Sequence, residues 1–165
     1  MTATLGTRYV FADIHQKTLP IEIRLDWTFT PTLSLQAYLQ PYIGTGDYKL
    51  FKELRAVRTF DFNFFGTGDS TSSYDGSVYT VDPDGPGPAA PFSFRNPDFS
   101  LKSMRGTVVF RWEFRPGSML YLVWTQKRAD YSEPGDFEFG RDLGDLFRAP
   151  GENIFLFKVS YRFQI

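Results

Sequence analysis

Between residues 21 and 29 apolar and polar side chains alternate without a break. Ile21, Ile23, Leu25, Trp27 and Phe29 hold the odd positions, and Glu22, Arg24, Asp26 and Thr28 the even ones. Successive side chains of a strand point to opposite faces, so this run predicts a strand with one oily and one polar face. The C-terminal stretch repeats the pattern: Phe155, Phe157, Val159, Tyr161, Phe163 and Ile165 share one parity, and Lys158, Ser160, Arg162 and Gln164 the other, with Leu156 as the exception. Leu33, Leu35, Ala37 and Leu39 alternate with Ser34, Gln36, Tyr38 and Gln40. Val108, Phe110, Trp112 and Phe114 alternate with Thr107, Val109, Arg111 and Glu113. A weaker run, Tyr9 to Gln16, sets Val10, Ala12 and Ile14 against Phe11, Asp13 and His15.

Residues 119–126 are apolar at both parities, and an internal repeat assigns their faces. Trp27-Thr28-Phe29-Thr30-Pro31 recurs as Trp112-Glu113-Phe114-Arg115-Pro116. Aligning the prolines sets Leu120, Leu122 and Trp124 on the oily face and Tyr121 and Thr125 opposite. Each proline presets its own φ in a tight turn, Thr30-Pro31-Thr32 or Pro116-Gly117-Ser118.

Residues 44–98 and 129–152, rich in Gly, Pro, Asp and Ser, read as long loops, which are uncommon inside a compact soluble domain. Short turns at one end of the strands and long loops at the other predict an all-β fold. The expected architecture is an antiparallel transmembrane β-barrel, or the C-terminal strands of a larger one, with short periplasmic turns and long extracellular loops. Paired rings, Trp27 with Phe29, Trp112 with Phe114 and Tyr161 with Phe163, fall at the turn ends, where an aromatic girdle belongs. The expected lipid-facing set is Ile21, Ile23, Leu25, Trp27, Phe29, Leu33, Leu35, Leu39, Val108, Phe110, Trp112, Phe114, Leu120, Leu122, Trp124, Phe155, Phe157, Val159, Tyr161 and Phe163. Glu22, Arg24, Asp26, Gln36, Gln40, Arg111, Glu113, Lys158 and Arg162 are expected to line the lumen. Six such strands fall short of the eight of the smallest barrels. The expectation is therefore a single unit over 1–165 that forms the C-terminal part of a larger barrel. The alternative is that residues 57–64, where Phe60, Phe62 and Phe64 alternate with Thr59, Asp61 and Asn63, and residues 77–82 add two strands, in the barrel or projecting above it.

Composition narrows the partners. Apolar residues make up 42% of the chain and aromatic residues 18%, so the oily surface is built largely of rings. A formal charge of -1 removes the electrostatic case for nucleic acid. The absence of cysteine excludes disulfides and thiolate chemistry. No run approaches the ~18 apolar residues of a transmembrane helix, so any crossing is by strands. The first residues lack the layout of a secretory signal, so the expectation is a cytosolic protein or a natural start upstream of Met1.

The segments RYVFADIHQKTL, RLDWTFTPTLSLQAYLQPYI, FKELRAVRTFDF, VYTVDPDG, NPDFSLKSMRGTVVFRWEFRPGSMLYLVWTQ and FGRDLGDLFRAPGENIFLFKVSY, in this order, resemble an uncharacterised family of bacterial surface proteins. RWEFRPGSMLYLVWTQ and ENIFLFKVSY are the most specific parts. The resemblance implies a C-terminal outer-membrane β-barrel following an N-terminal domain like a family-nine carbohydrate-binding module. It further implies that this domain and the early strands lie outside the present chain. It brings no catalytic residues. Outer-membrane proteins often finish on Phe or Trp, and here Gln164 and Ile165 follow Phe163.

Chemistry is sparse. His15 is the only histidine, and Asp13 shares its parity, but a nucleophilic triad needs a positioned third member, so no enzyme activity is expected. Asp82-Pro83-Asp84-Gly85 has the opening of a calcium loop without its downstream ligands and reads as an Asp-Gly turn. No cofactor or metal is expected. Residues 141–148 have helical spacing of Leu143, Leu146 and Phe147 and would form a short helix or a packed loop. The expected role is anchoring or transport in the bacterial outer membrane, with the bilayer as partner and glycan as a partner of the absent domain. The alternatives are a soluble β-barrel or sandwich that binds an apolar ligand or protein, and an outer-membrane hydrolase using His15.

Overall fold

The computed structural model describes residues 8–56, 58–132 and 135–163. Ten strands and one helix follow in the order β1 (Phe11–Pro20), β2 (Ile23–Thr30), β3 (Leu33–Leu54), β4 (Phe62–Phe64), β5 (Thr71–Tyr74), β6 (Val78–Asp82), β7 (Phe92–Arg95), β8 (Phe99–Arg115), β9 (Ser118–Ser132), α1 (Phe139–Arg148) and β10 (Gly151–Ser160). The fold is mostly antiparallel β. Seven strands form one sheet of order β1-β3-β8-β9-β10, with β2 and β4 also on β3, and β5-β6-β7 form another; neither sheet is closed. The chain divides into two compact units, Lys17–Thr45 with Ser100–Ile165, and Met1–Gln16 with Gly46–Phe99.

In the first of these units the repeated pentapeptide builds the same turn twice. The β2–β3 register shifts between Thr28 and Thr30, and the β8–β9 register between Glu113 and Arg115, so Phe29 and Phe114 are each the extra residue of a bulge. A bulge bends and twists the strand just before the reversal, and a proline then opens each turn. Gly117 adopts a φ of 78°, the left-handed region that glycine enters without steric cost. Its amide donates to Glu113 Oε1 at 2.8 Å, and the Arg162 amide donates to Ser118 Oγ at 3.0 Å, which ties the end of the last strand to this turn. Above the bulge β8 and β9 pair without interruption from Ser100↔Ser132 to Glu113↔Met119, and β9 and β10 from Gly151↔Arg128 to Ser160↔Met119. The Glu113 amide donates to the Thr32 carbonyl at 2.8 Å and joins the two hairpins.

Helix α1 forms where Glu138 accepts the Gly140 and Arg141 amides at 3.2 and 2.7 Å, and it stops before Pro150, which cannot continue a helical ladder. Asp142 and Leu146 are fully buried. Lys102 on β8, also buried, reaches Ser132 Oγ at 2.9 Å, Asp145 at 3.3 Å, Asp130 at 3.4 Å and Asp142 at 3.8 Å. Arg128 on β9 donates to the Phe147 and Ala149 carbonyls, the latter at 3.0 Å, closing the C-terminal end of the helix. Ile43, Thr45, Ser100, Met104 and Ala149 of this unit are buried as well. The core is thus a latch between one helix and one patch of sheet, with a charged centre.

The other unit holds β5-β6-β7 and the far part of β3. Phe51 packs against Tyr79 and Phe94 at 4.7 and 5.0 Å, Tyr79 stacks on Tyr74 at 4.5 Å, and Val81 is fully buried. Burial raises the Tyr79 hydroxyl above its ordinary value. Amides of Val78 and Ser77 bond Asp75 in the β5–β6 turn and hold its carboxyl below the usual range. The Phe99 ring covers Gly46, occupying the space a Cβ there would need.

Several elements depart from the sequence reading. β3 runs on to Leu54, well into the segment read as loop, because Pro41, Gly44 and Gly46 interrupt the alternation without ending the ladder. Of the two extra strands considered, β4 is three residues long and β6 belongs to the separate sheet, while Val57 lies outside the described residues. β1 begins at Phe11 rather than Tyr9 and extends to Pro20, and Ile21 and Glu22 fall in a break before β2. Gln164 and Ile165, read as the end of the last strand, lie outside the described residues.

Replacing Lys102 with Ala removes the cation shared by three carboxylates and leaves Asp142 with Arg141 as its one ion-pair partner among the described residues. The expected cost is about 3 kcal/mol, in the range for breaking a buried pair, read as a lower unfolding midpoint and earlier proteolysis around α1. Asp142→Asn, which keeps an acceptor for the Glu138 amide, should cost less. Gly46→Val should lower stability as well, because the added side chain overlaps Phe99.

Candidate functional site: an apolar face and its polar reverse

The register places the residues of the oily parity opposite one another from strand to strand. Ile23 faces Leu39, Leu25 faces Ala37 and Trp27 faces Leu35; Val108 faces Trp124, Phe110 faces Leu122 and Trp112 faces Leu120; Phe155, Phe157 and Val159 then continue from Trp124, Leu122 and Leu120. One face of β2, β3, β8, β9 and β10 therefore carries all of these side chains, and it is not covered. On the outer strands Trp27 is 55%, Phe155 76% and Phe157 67% exposed. Leu33, Leu35, Leu39, Val108, Phe110 and Leu120, on strands with neighbours, are half-buried, as is Ile21.

Aromatic side chains mark both ends of this face. At the turns Trp27 stacks on Phe29 at 5.0 Å, Trp112 meets Phe114 at 6.0 Å, and Tyr161 meets Phe163 at 4.8 Å. Arg115 donates to the Tyr161 hydroxyl at 2.6 Å. At the other end Trp124 stacks on Phe155 at 6.3 Å with planes 8° apart. There the indole N–H donates to Asn153 Oδ1 at 3.0 Å, and Gln126 donates to the same oxygen at 2.9 Å. Two residues further along β9 the face passes to Arg128 and to Lys102, under α1.

The reverse face carries the polar parity. Arg24 lies opposite Tyr38, with its guanidinium 5.7 Å from the ring, and Asp26 lies opposite Gln36. Arg111 and Lys158 both face Tyr121, with Lys158 5.9 Å from that ring. A concavity of about 290 Å³ is lined by Arg24, Asp26, Gln36, Tyr38, Thr107 and Val109, and a second of about 230 Å³ by Asp26, Ser34, Gln36 and Arg111 among others. Gln40 is exposed, Glu22 lies 3.9 Å from Arg24, Glu113 holds the Gly117 amide and Arg162 flanks the same turn. The face also carries an apolar row, Val109 opposite Val123 and Val123 opposite Leu156, which is why residues 119–126 and Leu156 escape the simple alternation.

The remaining candidates are not drawn together. Asp13 bonds Lys52 at 2.6 Å, and His15 is exposed, without a hydrogen-bond partner among the described residues. Asp82 accepts the Gly85 amide at 3.0 Å, and Asp84 accepts the Ala89 amide at 3.1 Å, so both carboxylates serve the turn. The described residues contain no cluster of ligands that could hold a metal ion. Sequence reasoning missed Lys102, Asp130, Asp142 and Asp145. Asp142 and Asp145 stand three apart, a spacing that places both on one helical side, but their cation lies some forty residues away. Arg141 bonds both Asp142 and Asp136; burial draws its guanidinium down, and the two carboxylates outweigh that and raise it.

No curated protein and no solved structure matches the chain. A family model, described as a domain of unknown function (DUF5916), matches residues 2–164, and the chain belongs to that family.

Proposed function

We propose that this chain is a membrane-embedded part of a bacterial outer-membrane β-barrel, serving anchoring or transport for a surface protein that handles glycans. The observation that carries the reading is the uncovered apolar face across β2, β3, β8, β9 and β10, backed on the same strands by charged and polar side chains. A soluble sheet would bury such a face, because contiguous apolar patches beyond a few hundred Å² are rare on soluble monomers. Hydrocarbon tails solvate it at no cost, and water in the lumen solvates the reverse. Rings at the turn end of the face fit one interface of a bilayer.

All residues of β2 and β10 are exposed, as expected of strands that pair with others to complete a cylinder. Closure by strands from the rest of a larger barrel accounts for this. The glycan element rests on the sequence resemblance alone.

Leu25→Arg sets a cation on the oily face and should cost on the order of 2–4 kcal/mol at the bilayer midplane, so that the folded band in a heat-modifiability gel is lost. Arg24→Leu, one residue away on the other face, should leave that band. Equal tolerance of both changes, or a sharp monomer in detergent-free buffer, would favour a soluble sheet with an apolar ligand or partner.

A further inference from the structure

On β8 and β9 the apolar part of the oily face is short. From Phe114 to the level of Trp124, which faces Val108, is six residues of β8, or about 20 Å. A strand tilt of about 40° reduces this to about 15 Å, against an apolar band of about 25 Å on outer-membrane barrels. Beyond Trp124 and Phe155 the sheet itself offers Gln126, Asn153 and Arg128. The missing apolar surface has to come from elsewhere.

Helix α1 stands at that place. Lys102 and Arg128, which hold it, belong to the parity of the oily face, and Gly151, next to the helix, precedes Phe155 by four residues, about 13 Å of strand. At 100° per residue Asp142, Leu146 and Ala149 form the side turned to the sheet, as their burial requires. About a quarter turn to one side run Phe139, Leu143 and Phe147, of which the two phenylalanines are 51% and 53% exposed. About a third of a turn to the other side lie Arg141 and Arg148, paired with Asp136 and Asp145. The helix thus has an apolar flank and a charged flank separated by the side that is latched down.

We infer that α1 is a membrane-edge helix whose Phe139-Leu143-Phe147 flank enters the lipid of the outer leaflet beside Trp124 and Phe155 and extends the apolar band, with Arg141 and Arg148 toward water. This rests on the membrane reading above. The occupant is lipid rather than a protein because the flank continues the face that meets the bilayer, and an exposed aromatic flank on a latched amphipathic helix suits the headgroup boundary.

The chain has no cysteine, so a single introduced one carries a nitroxide label at one position within it. Labels at Phe139→Cys, Phe147→Cys, Arg148→Cys and Phe157→Cys, all exposed positions, would be compared in the full protein reconstituted in phosphatidylcholine and phosphatidylglycerol vesicles. The readout is collision with oxygen relative to a water-soluble nickel chelate. The expected result is a ratio several-fold higher at Phe139, Phe147 and Phe157 than at Arg148. A high ratio at Phe157 with values at Phe139 and Phe147 no higher than at Arg148 would overturn the helix assignment and leave the barrel reading standing. A water-like ratio at Phe157 as well would overturn both.

Discussion

Antiparallel register governs this molecule. A strand exposes an amide and a carbonyl at every residue, and each must find a partner in the ladder or in water. Once the ladder is set, side chains divide between two faces with a period of two, and a slip of one residue would exchange the faces. Here the register is held at one end by two proline turns with a bulged phenylalanine and by the bonds from Gly117 to Glu113 and from Arg162 to Ser118. Ten or eleven residues further along the strands it is held again by Lys102 and Arg128 beneath the helix. Between these two anchorages Val108, Phe110, Trp112, Leu120, Leu122, Trp124, Phe155, Phe157 and Val159 all stay on one side.

The consequence is a surface that makes sense in only some surroundings. Trp27, Phe155 and Phe157 are more than half exposed, and several such rings lie in one patch rather than scattered. Scattered exposed apolar residues are ordinary on soluble proteins, whereas a continuous face demands a partner. The polar reverse answers the same demand from the other side, since Arg24, Asp26 and Arg111 around open concavities need water. These two requirements together are the ground of the proposal that sets bilayer outside and solvent inside.

The charged centre of the latch has a different role from the apolar face. Buried ion pairs add little stability over well-packed apolar side chains, because desolvation offsets the attraction. What Lys102 does supply is direction: the carboxylates of Asp142 and Asp145 join Asp130 and Ser132 of β9 around it only when the helix sits in one place. A position fixed in this way can present a particular flank, Phe139 and Phe147, to whatever lies next to the sheet.

Much of this architecture is legible in residue order. Alternation over 21–29 and 108–114 determines which side chains share a face, since the period of a strand is set by local geometry. The repeated Trp-x-Phe-x-Pro likewise determines two equivalent reversals, and the spacing of Leu143, Leu146 and Phe147 marks a helix. The length of β3 past Pro41 is not legible, because Gly44 and Gly46 carry no side chain to show parity and a distant ring, Phe99, covers the second of them. Nor is the sheet β5-β6-β7, whose strands are four or five residues long and depend on packing with Phe51. The latch is the clearest case: Lys102 reads as one more surface cation until β8 and β9 pair and the helix folds over them. Faces and turns come from neighbours along the chain, but closure of a helix on a sheet depends on contacts between residues far apart in it, and only the tertiary structure brings those together.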